Sequence, residues 1–215
     1  MHKDIRAVIF DSDGTLVDSE VPGMDVLYEM ARAAGVDMTR AEAHARFRGA
    51  RMSEIAAWIG ARIEDKPADF EAEFTRRYRA TSTRHFRENL REIPGAFDLL
   101  SRLHIPFAVA TNGPREKVLL TLEVTGLLPL VGDRIFSAYD DGLFKPDPGL
   151  FLTAARALGC EPRHCAVVED SLPGLTAGVA AGMHVFSLHA LDGLPEHIAE
   201  RVCFIASLAD LESHL

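Results

Sequence analysis

The chain lacks the features that mark secreted, metal-finger and membrane-spanning proteins. Its three cysteines, Cys160, Cys165 and Cys203, are too few for a disulfide framework, and their spacing matches no zinc site. The richest apolar stretch, 118–131, is broken by a glutamate and a proline and is too short to span a bilayer. Internal repeats and low-complexity segments are also missing, which excludes solenoids and repeat arrays.

An excess of basic residues is missing as well, because 32 acidic residues outnumber 23 basic ones and give a formal net charge of −9. This balance argues against general binding to nucleic acids or to anionic membranes. The first residues lead directly into a strand-like segment, without the basic and long apolar regions of a secretory signal. With 47% hydrophobic and 26% charged residues, the sequence predicts a globular cytoplasmic protein.

Short apolar segments alternate with helical patterns, and this alternation predicts an α/β fold. The predicted strands are 7–10, 107–110, 134–137, 165–168 and 184–188. The predicted helices are 95–103, 115–124, 148–158 and 171–181. Buried strands with right-handed helical crossovers form a doubly wound, Rossmann-like parallel sheet.

Residues 11–106 separate the first two predicted strands, although a crossover needs only about a dozen residues. The interval is rich in helix formers with apolar residues at helical spacing. We therefore predict a small helical domain at 18–87, inserted after the first strand of an α/β core made of 1–17 and 88–215. Residues 19–91 carry 13 basic and 12 acidic residues, so the acid excess lies in the rest of the chain.

The first predicted strand ends in Asp11-Ser12-Asp13. Ligands of open α/β sheets bind at the carboxyl ends of the strands, and residues i and i+2 of an extended segment point the same way. The two carboxylates are therefore expected to face one site, where a cation or an acid–base role would separate their charge states. Alternatively, either aspartate serves only as a turn or helix-cap residue.

Polar residues also follow three other predicted strands. Thr111 and Asn112 precede a helix, Lys145 lies in a turn stiffened by proline, and the adjacent acids Glu169 and Asp170 end an otherwise apolar strand. Taken singly, Thr111 and Asn112 could simply cap a helix, and Lys145 could simply be a surface lysine. Together at one sheet edge, the set suits phosphoryl transfer to a carboxylate assisted by Mg²⁺.

In this order and spacing, the segments DSDGTLVDSE, ATNG, KPDP and VVEDSLPGLTAG resemble the four motifs of the haloacid dehalogenase superfamily, in its β-phosphoglucomutase-like phosphatase branch. The resemblance covers essentially the whole chain. It implies a phosphoric monoester hydrolase that forms an aspartyl-phosphate and acts on a small phosphorylated metabolite. A sugar or sugar-acid phosphate, with 6-phosphogluconate as the first candidate, is the implied substrate. The implied oligomeric state is a monomer or a weak homodimer.

The resemblance also implies a role for each motif residue. Asp11 is expected to be the nucleophile, Asp13 the general acid and base, and Lys145 the cation that neutralises Asp11 and the transferring group. Thr111 and Asn112 are expected to hold the phosphoryl group.

A second set of implied roles concerns the metal. Mg²⁺ is expected on the Asp11 carboxylate, the Asp13 backbone carbonyl and Asp170. Glu169 is expected either to bind the ion directly or to act through its neighbours.

The resemblance identifies the helical insert with the cap of this family, which opens and closes over the active site. Arg48-Gly49-Ala50-Arg51 matches the cap segment that faces the substrate. Arg48, Gly49 and Arg51 are therefore candidates for substrate binding, with the two arginines holding an anionic end remote from the reacting phosphate. Alternatively, both arginines lie on the solvated surface of a cap helix.

Other activities of the same superfamily fit the sequence less well. A sugar phosphomutase would have a histidine at Gly23 and a phosphate-binding arginine at Met52. A dehalogenase has no leaving alcohol to protonate and lacks the second acid, Asp13. Phosphonoacetaldehyde hydrolysis needs a Schiff-base lysine in the cap, where Lys66 stands in an apparent surface turn. A non-catalytic regulatory protein of this fold would be expected to have lost a motif acid or lysine, and all are present.

Overall fold

The computed structural model describes residues 4–47, 50–189 and 193–215. Two compact units divide the chain. One comprises the described residues of Met1–Asp18 and Arg91–Leu215, and the other comprises those of Ser19–Leu90. The second unit begins one residue after, and ends three residues after, the insert at 18–87 that the sequence predicts.

The first unit is built on a parallel β-sheet. Its strands are β1 (Ala7–Phe10), β2 (Phe107–Thr111), β3 (Ile135–Ser137), β4 (Cys165–Glu169), β5 (His184–Ser187) and β6 (Val202–Phe204). Within the described residues they form one six-stranded sheet in the order β3-β2-β1-β4-β5-β6, with every neighbouring pair parallel. The doubly wound α/β fold expected from the sequence is therefore confirmed. The strands predicted from the sequence do not include β6, whose residues are apolar but form an edge strand of three residues that are only partly buried or exposed.

Both units contain helices in their described parts. The helical unit contains α1 (Glu20–Ala33), α2 (Arg40–Phe47), α3 (Met52–Gly60) and α4 (Phe70–Asn89). The sheet unit contains α5 (Ala96–Arg102), α6 (Arg115–Val124), α7 (Leu128–Val131), α8 (Ala138–Asp141), α9 (Gly149–Ala157), α10 (Leu172–Ala180) and α11 (Glu196–Ala199), with 3-10 turns at Pro162–His164 and Leu208–His214. Among the residues described, no helix combines the length and apolarity needed to cross a membrane.

The helical unit has its own apolar core. Leu27, Phe47, Ile59 and Phe74, one from each of its four helices, are almost fully buried in a single cluster. Burying side chains of this size stabilises a fold by about 1.5–3 kcal/mol each. The amphipathic spacing that predicts helices here therefore also explains why they pack together.

Strand β1 is buried on both faces and is the centre of the sheet unit. Val8 and Phe10 pack into the cluster on one face, whereas Ala7 and Ile9 pack into the cluster on the other. Alternate residues of a strand point to opposite faces, so an uninterrupted apolar run is what a central parallel strand requires. The residue that follows this strand, Asp11, is consequently held by a rigid support.

The winding direction of the sheet reverses at β1. Strands β2 and β3 lie on one side of it, and β4, β5 and β6 lie on the other. Such a switch point leaves a crevice at the carboxyl ends of the strands, which is the usual ligand site of open α/β sheets. Asp11 follows β1 and Asp170 follows β4, so both stand at this crevice.

Candidate active site

The ammonium group of Lys145 joins two carboxylates at the switch point. Its Nζ lies 2.5 Å from Oδ1 of Asp11 and 2.6 Å from Oε1 of Glu169, and it donates to the carbonyl of Ala110 at 2.8 Å. The Lys145 and Glu169 side chains are 2% and 1% exposed, and that of Asp11 is 10% exposed. A buried charge must be paired and hydrogen-bonded, and all three groups meet this condition through Lys145.

Asn112 fixes the loop that carries Lys145. Its Oδ1 accepts the backbone N–H of Lys145 at 2.9 Å, and its Nδ2 donates to the Lys145 carbonyl at 3.1 Å. Both ends of the amide are therefore committed to the lysine backbone, and we interpret Asn112 as the residue that positions Lys145. Thr111, the last residue of β2, is buried, and its Oγ1 accepts the N–H of Gly113 at 3.0 Å.

Glu169 is anchored by the N-terminus of α10. Its Oε2 accepts hydrogen bonds from the backbone N–H groups of Asp170 and Ser171, both at 3.0 Å, and from the Ser171 hydroxyl at 2.9 Å. The positive end of a helix dipole favours a carboxylate in this position. Since its other oxygen accepts from Lys145, Glu169 is suited to holding that lysine against Asp11.

A glycine makes room for this carboxylate. A Cβ atom on Gly174, in the first turn of α10, would overlap the Glu169 side chain. We expect Gly174→Ala to displace Glu169, to lower the free energy of unfolding by about 1–3 kcal/mol and to reduce turnover by loosening Lys145. Urea unfolding and phosphate release would be measured together.

Gly178→Ala is the matched control for that variant. A Cβ atom there would also be crowded, at 2.9 Å from Val185, but on the next turn of α10 and away from Glu169. It should lose stability and keep its turnover. Equal loss of turnover in both variants would mean that helix packing, and not the Glu169 carboxylate, supports activity.

The side-chain oxygens of Asp11, Glu169 and Asp170 form a candidate metal site. One ligand atom from each lies within 4.8 Å of the others, and Asp11 and Glu169 are buried. A side chain on Gly14, whose φ is +83°, would overlap the Asp170 carboxylate, so this carboxylate packs directly against the loop after β1. Three hard oxygen donors so close together fit a divalent cation such as Mg²⁺, whose charge would offset their repulsion.

The protonation of Asp11 reflects the same crowding. Burial raises the pKa of Asp11 to about 7, opposed by Lys145 and reinforced by the nearby Glu169 and Asp13. For Lys145, burial alone would lower the pKa, but the two carboxylates outweigh it and raise the pKa above its ordinary value. Lys145 is therefore a permanent cation, and a bound metal would favour the carboxylate form of Asp11.

Asp13 has a different partner from the other acids. Its Oδ2 lies 2.7 Å from Nζ of Lys117, in an ion pair whose Asp13 and Lys117 side chains are 26% and 35% exposed. Among the residues described, the Asp13 carboxylate is not part of the three-carboxylate group. Lys117 is not among the site residues predicted from the sequence motifs. One signal was available, because a lysine in the first turn of a helix opposes the helix dipole and so needs another explanation.

The predicted substrate-binding segment lies in the helical unit. Arg48 and Gly49 lie outside the described residues. Arg51 directly precedes α3, has an exposed side chain, and donates its backbone N–H to Oε2 of Glu54 at 3.3 Å. The guanidinium is therefore displayed to solvent from the start of a helix.

Comparison with known proteins agrees with this site. Residues 5–182 match the family model of haloacid dehalogenase-like hydrolases. The chain is 38% identical over 182 residues to 6-phosphogluconate phosphatase of Escherichia coli (strain K12), covering 85% of this chain and 81% of that protein. It is 32% identical over 195 residues to hexitol phosphatase A of the same organism, covering 86% and 83%.

A solved structure agrees as well. A HAD family hydrolase from Deinococcus radiodurans R1, with bound phosphate and sodium, has a TM-score of 0.76 and 30% identity, covering 98% of this chain and 95% of that one. The superfamily and the enzyme class expected from the motifs, a phosphoric monoester hydrolase, are confirmed. The chain belongs to the haloacid dehalogenase-like hydrolases.

Proposed function

We propose that this hydrolase is a Mg²⁺-dependent phosphatase that transfers the phosphoryl group of a small sugar-acid phosphate first to Asp11 and then to water. The observation that carries the proposal is the buried Asp11 carboxylate, one oxygen of which is fixed by Lys145 while Asp13 stands two residues further along. This is the arrangement of a nucleophile, a cation and a separate acid.

Asp11 is prepared for nucleophilic attack by its contacts. Lys145 holds Oδ1 of Asp11, which leaves Oδ2 as the oxygen proposed to attack. Oδ2 would attack phosphorus in line with the leaving oxygen, so that the bond from Oδ2 to phosphorus forms as the ester bond breaks. Lys145 stabilises the charge that develops on the phosphoryl oxygens.

Asp13 would move the protons. In the first step its carboxyl group gives a proton to the departing alcohol oxygen. In the second step its carboxylate takes a proton from the water that attacks phosphorus, and the Asp11 carboxylate is released with inorganic phosphate. Each step thus leaves Asp13 in the state that the other step requires.

Asp11 and Asp170 would hold the Mg²⁺ ion, together with the backbone carbonyl of Asp13, while Glu169 fixes Lys145 beside them. When bound, the ion supplies positive charge that neutralises the phosphoryl oxygens. The net negative charge of the carboxylate cluster supports this assignment.

The proposed substrate class rests on the helical unit and on the relatives. A sugar-acid phosphate carries a carboxylate remote from its phosphate, and Arg51, with Arg48 nearby in sequence, would bind it. Residues 19–91 have nearly equal numbers of acids and bases, whereas the rest of the chain is strongly acidic. The similarity to 6-phosphogluconate phosphatase supports 6-phosphogluconate as the first substrate to test.

Position 23 argues against the mutase alternative. Gly23 lies buried in α1, and a Cβ atom there would stand 3.1 Å from the hydroxyl of Tyr78. A histidine, which the mutases of this superfamily are expected to have there, would meet that tyrosine. The proposed reaction therefore ends with water as the acceptor.

The decisive experiment is phosphate release from a panel of phosphorylated metabolites, with Mg²⁺ and with excess EDTA. The panel includes 6-phosphogluconate, neutral hexose phosphates and β-glucose 1-phosphate. We expect Mg²⁺-dependent release that is fastest with 6-phosphogluconate. Conversion of β-glucose 1-phosphate to the 6-phosphate without release would identify a mutase, and release that EDTA does not affect would contradict the metal assignment.

Arg51→Ala tests the substrate assignment. Because hydrogen bonds to charged groups contribute about 1.5–3 kcal/mol, we expect KM for 6-phosphogluconate to rise about tenfold or more. KM for p-nitrophenyl phosphate, which has no second anionic group, should change little. Steady-state kinetics on both substrates measure the difference.

Arg76→Ala is the control, since Arg76 is an exposed arginine of the same unit that pairs with Glu73 at 2.6 Å. It should alter neither KM value. A similar rise in KM for both substrates in Arg51→Ala would make Arg51 a structural residue.

A further inference from the structure

We propose that Lys117 is a positioning residue that holds the Asp13 carboxylate in place for its two proton transfers. The inference rests on the proposed function, in which Asp13 is the general acid and base. The juxtaposition that carries it is the contact of 2.7 Å between Nζ of Lys117 and Oδ2 of Asp13. These residues are 104 positions apart in sequence, and the contact joins α6 to the loop after β1.

The surroundings of Asp13 show that this contact belongs to the catalytic edge. The segment between β2 and α6 runs beside Asp13, because a Cβ atom on Gly113 would lie 3.5 Å from Oδ2 of Asp13 and 3.4 Å from Oγ1 of Thr111. Lys117 then reaches Asp13 from the first turn of α6. The lysine therefore acts at the same edge of the sheet as Lys145.

A purely structural role explains Lys117 poorly. A cation in the first turn of a helix faces the positive end of the helix dipole, which disfavours it. Partly exposed ion pairs of this kind contribute little to folding stability. Arg115, in the same turn, shows what a structural cation does here, because it pairs with Asp140 and donates to the carbonyl of Ile135. Lys117 instead bonds to the proposed acid.

Each of the two lysines at the site therefore contacts one of the two aspartates. Lys145 holds Oδ1 of the nucleophile, Asp11, and Lys117 holds Oδ2 of Asp13. Fixing one oxygen restricts rotation of the carboxylate, which sets its direction of approach to the leaving oxygen and to the attacking water. Proton transfer requires hydrogen-bonding distance at that moment, so a loosened Asp13 would be a slower acid and base.

Lys117→Met removes the charge and keeps the length of the side chain. A sugar alkoxide is a poor leaving group that needs a proton, whereas p-nitrophenolate leaves without one. We expect kcat for 6-phosphogluconate to fall about tenfold or more, because well-placed acid catalysis contributes about 10²–10⁴-fold. The pre-steady-state burst of p-nitrophenolate from p-nitrophenyl phosphate, which reports the first step alone, should fall much less, and KM should stay near its wild-type value.

Two further variants sharpen the test. Lys117→Arg keeps the charge and should recover part of the lost kcat for the sugar phosphate. Lys66→Met removes a matched ion pair in the helical unit, where Lys66 and Glu71 lie 2.6 Å apart and are 33% and 40% exposed. It should leave the ratio of the two rates unchanged.

Equal losses for both leaving groups in Lys117→Met would overturn the proposal, as would a rise in KM without a change in kcat, which would make Lys117 a substrate-binding residue. If the wild-type protein releases phosphate and the ratio of rates does not change, only the role of Lys117 fails. If the wild-type protein releases no phosphate from any substrate, the proposed function itself fails.

Discussion

Replacing Asp11 with asparagine is expected to lower phosphate release by about a thousandfold or more, because removing a covalent nucleophile takes away the whole reaction path that it serves. The amide is nearly the same size as the carboxyl group, so the packing at the end of β1 should be preserved. The contact with Lys145 changes from an ion pair to a hydrogen bond, and Lys145 keeps Glu169 as its charged partner. Phosphate release and circular dichroism would be measured on the same preparation.

The same substitution is expected to lower activity but to reduce the loss of stability as the pH rises. In the metal-free protein, burial raises the pKa of Asp11 from 3.8 to about 7, against the attraction of Lys145. The unfolded chain then ionises first as the pH rises, so Asp11 makes the free energy of unfolding fall between these two pH values. Asparagine cannot ionise. In EDTA, urea unfolding of Asp11→Asn should therefore lose less stability than wild type between pH 4 and pH 7.

Asp133→Asn is the control, because Asp133 is an exposed aspartate of the same unit. It should leave both turnover and the pH dependence of unfolding as in wild type. Substantial residual turnover in Asp11→Asn would remove Asp11 as the nucleophile. Identical pH dependence of unfolding in Asp11→Asn and wild type would mean that folding does not raise the pKa of Asp11, so that this carboxyl group ionises in the folded, metal-free protein as it does in the unfolded chain.

The sequence predicts the meeting of Asp11, Lys145 and Glu169 because of a property of parallel sheets. The carboxyl ends of parallel strands share one edge, so polar residues that follow buried apolar runs must converge there. Each predicted strand is a short apolar segment bounded by polar or turn residues. The ends of the strands can therefore be located in the sequence even where the ends of the helices cannot. The order of the strands in the sheet, by contrast, comes from the structure.

The partners of individual side chains are less accessible to sequence reasoning. From the sequence, Asn112 is expected to hold the phosphoryl group. In the structure its side chain makes two hydrogen bonds to the backbone of Lys145, 33 residues away. The sequence leaves open whether Glu169 binds the metal ion directly or acts through its neighbours, and the structure shows its Oε2 accepting from the first N–H groups of α10. Such contacts depend on rotamers and on the path of loops, which hydrophobic periodicity does not determine. The pairing of Asp13 with Lys117 belongs to the same class.

Lys145→Met carries the second large expected effect, on stability and activity together. It would leave the carboxylates of Asp11 and Glu169 buried without the ammonium group that both contact. Breaking a buried ion pair on one side costs about 3–5 kcal/mol, so the free energy of unfolding should fall by that order. Turnover should fall by about a hundredfold or more, because the phosphoryl oxygens lose their fixed cation. Urea unfolding and phosphate release measure the two effects.

A second substitution separates stability from chemistry. In Lys145→Met combined with Glu169→Gln, one uncompensated charge is gone, so much of the lost stability should return, while turnover should stay as low as in Lys145→Met alone. Glu169→Gln by itself completes the cycle and should also lose stability, because an amide has one acceptor oxygen where Glu169 accepts from Lys145 through one oxygen and from the N–H groups of α10 through the other. If Lys145→Met were as stable as wild type, the two carboxylates would not both be charged in the folded state. If the double variant regained turnover with its stability, Lys145 would serve the fold and not the transfer of the phosphoryl group.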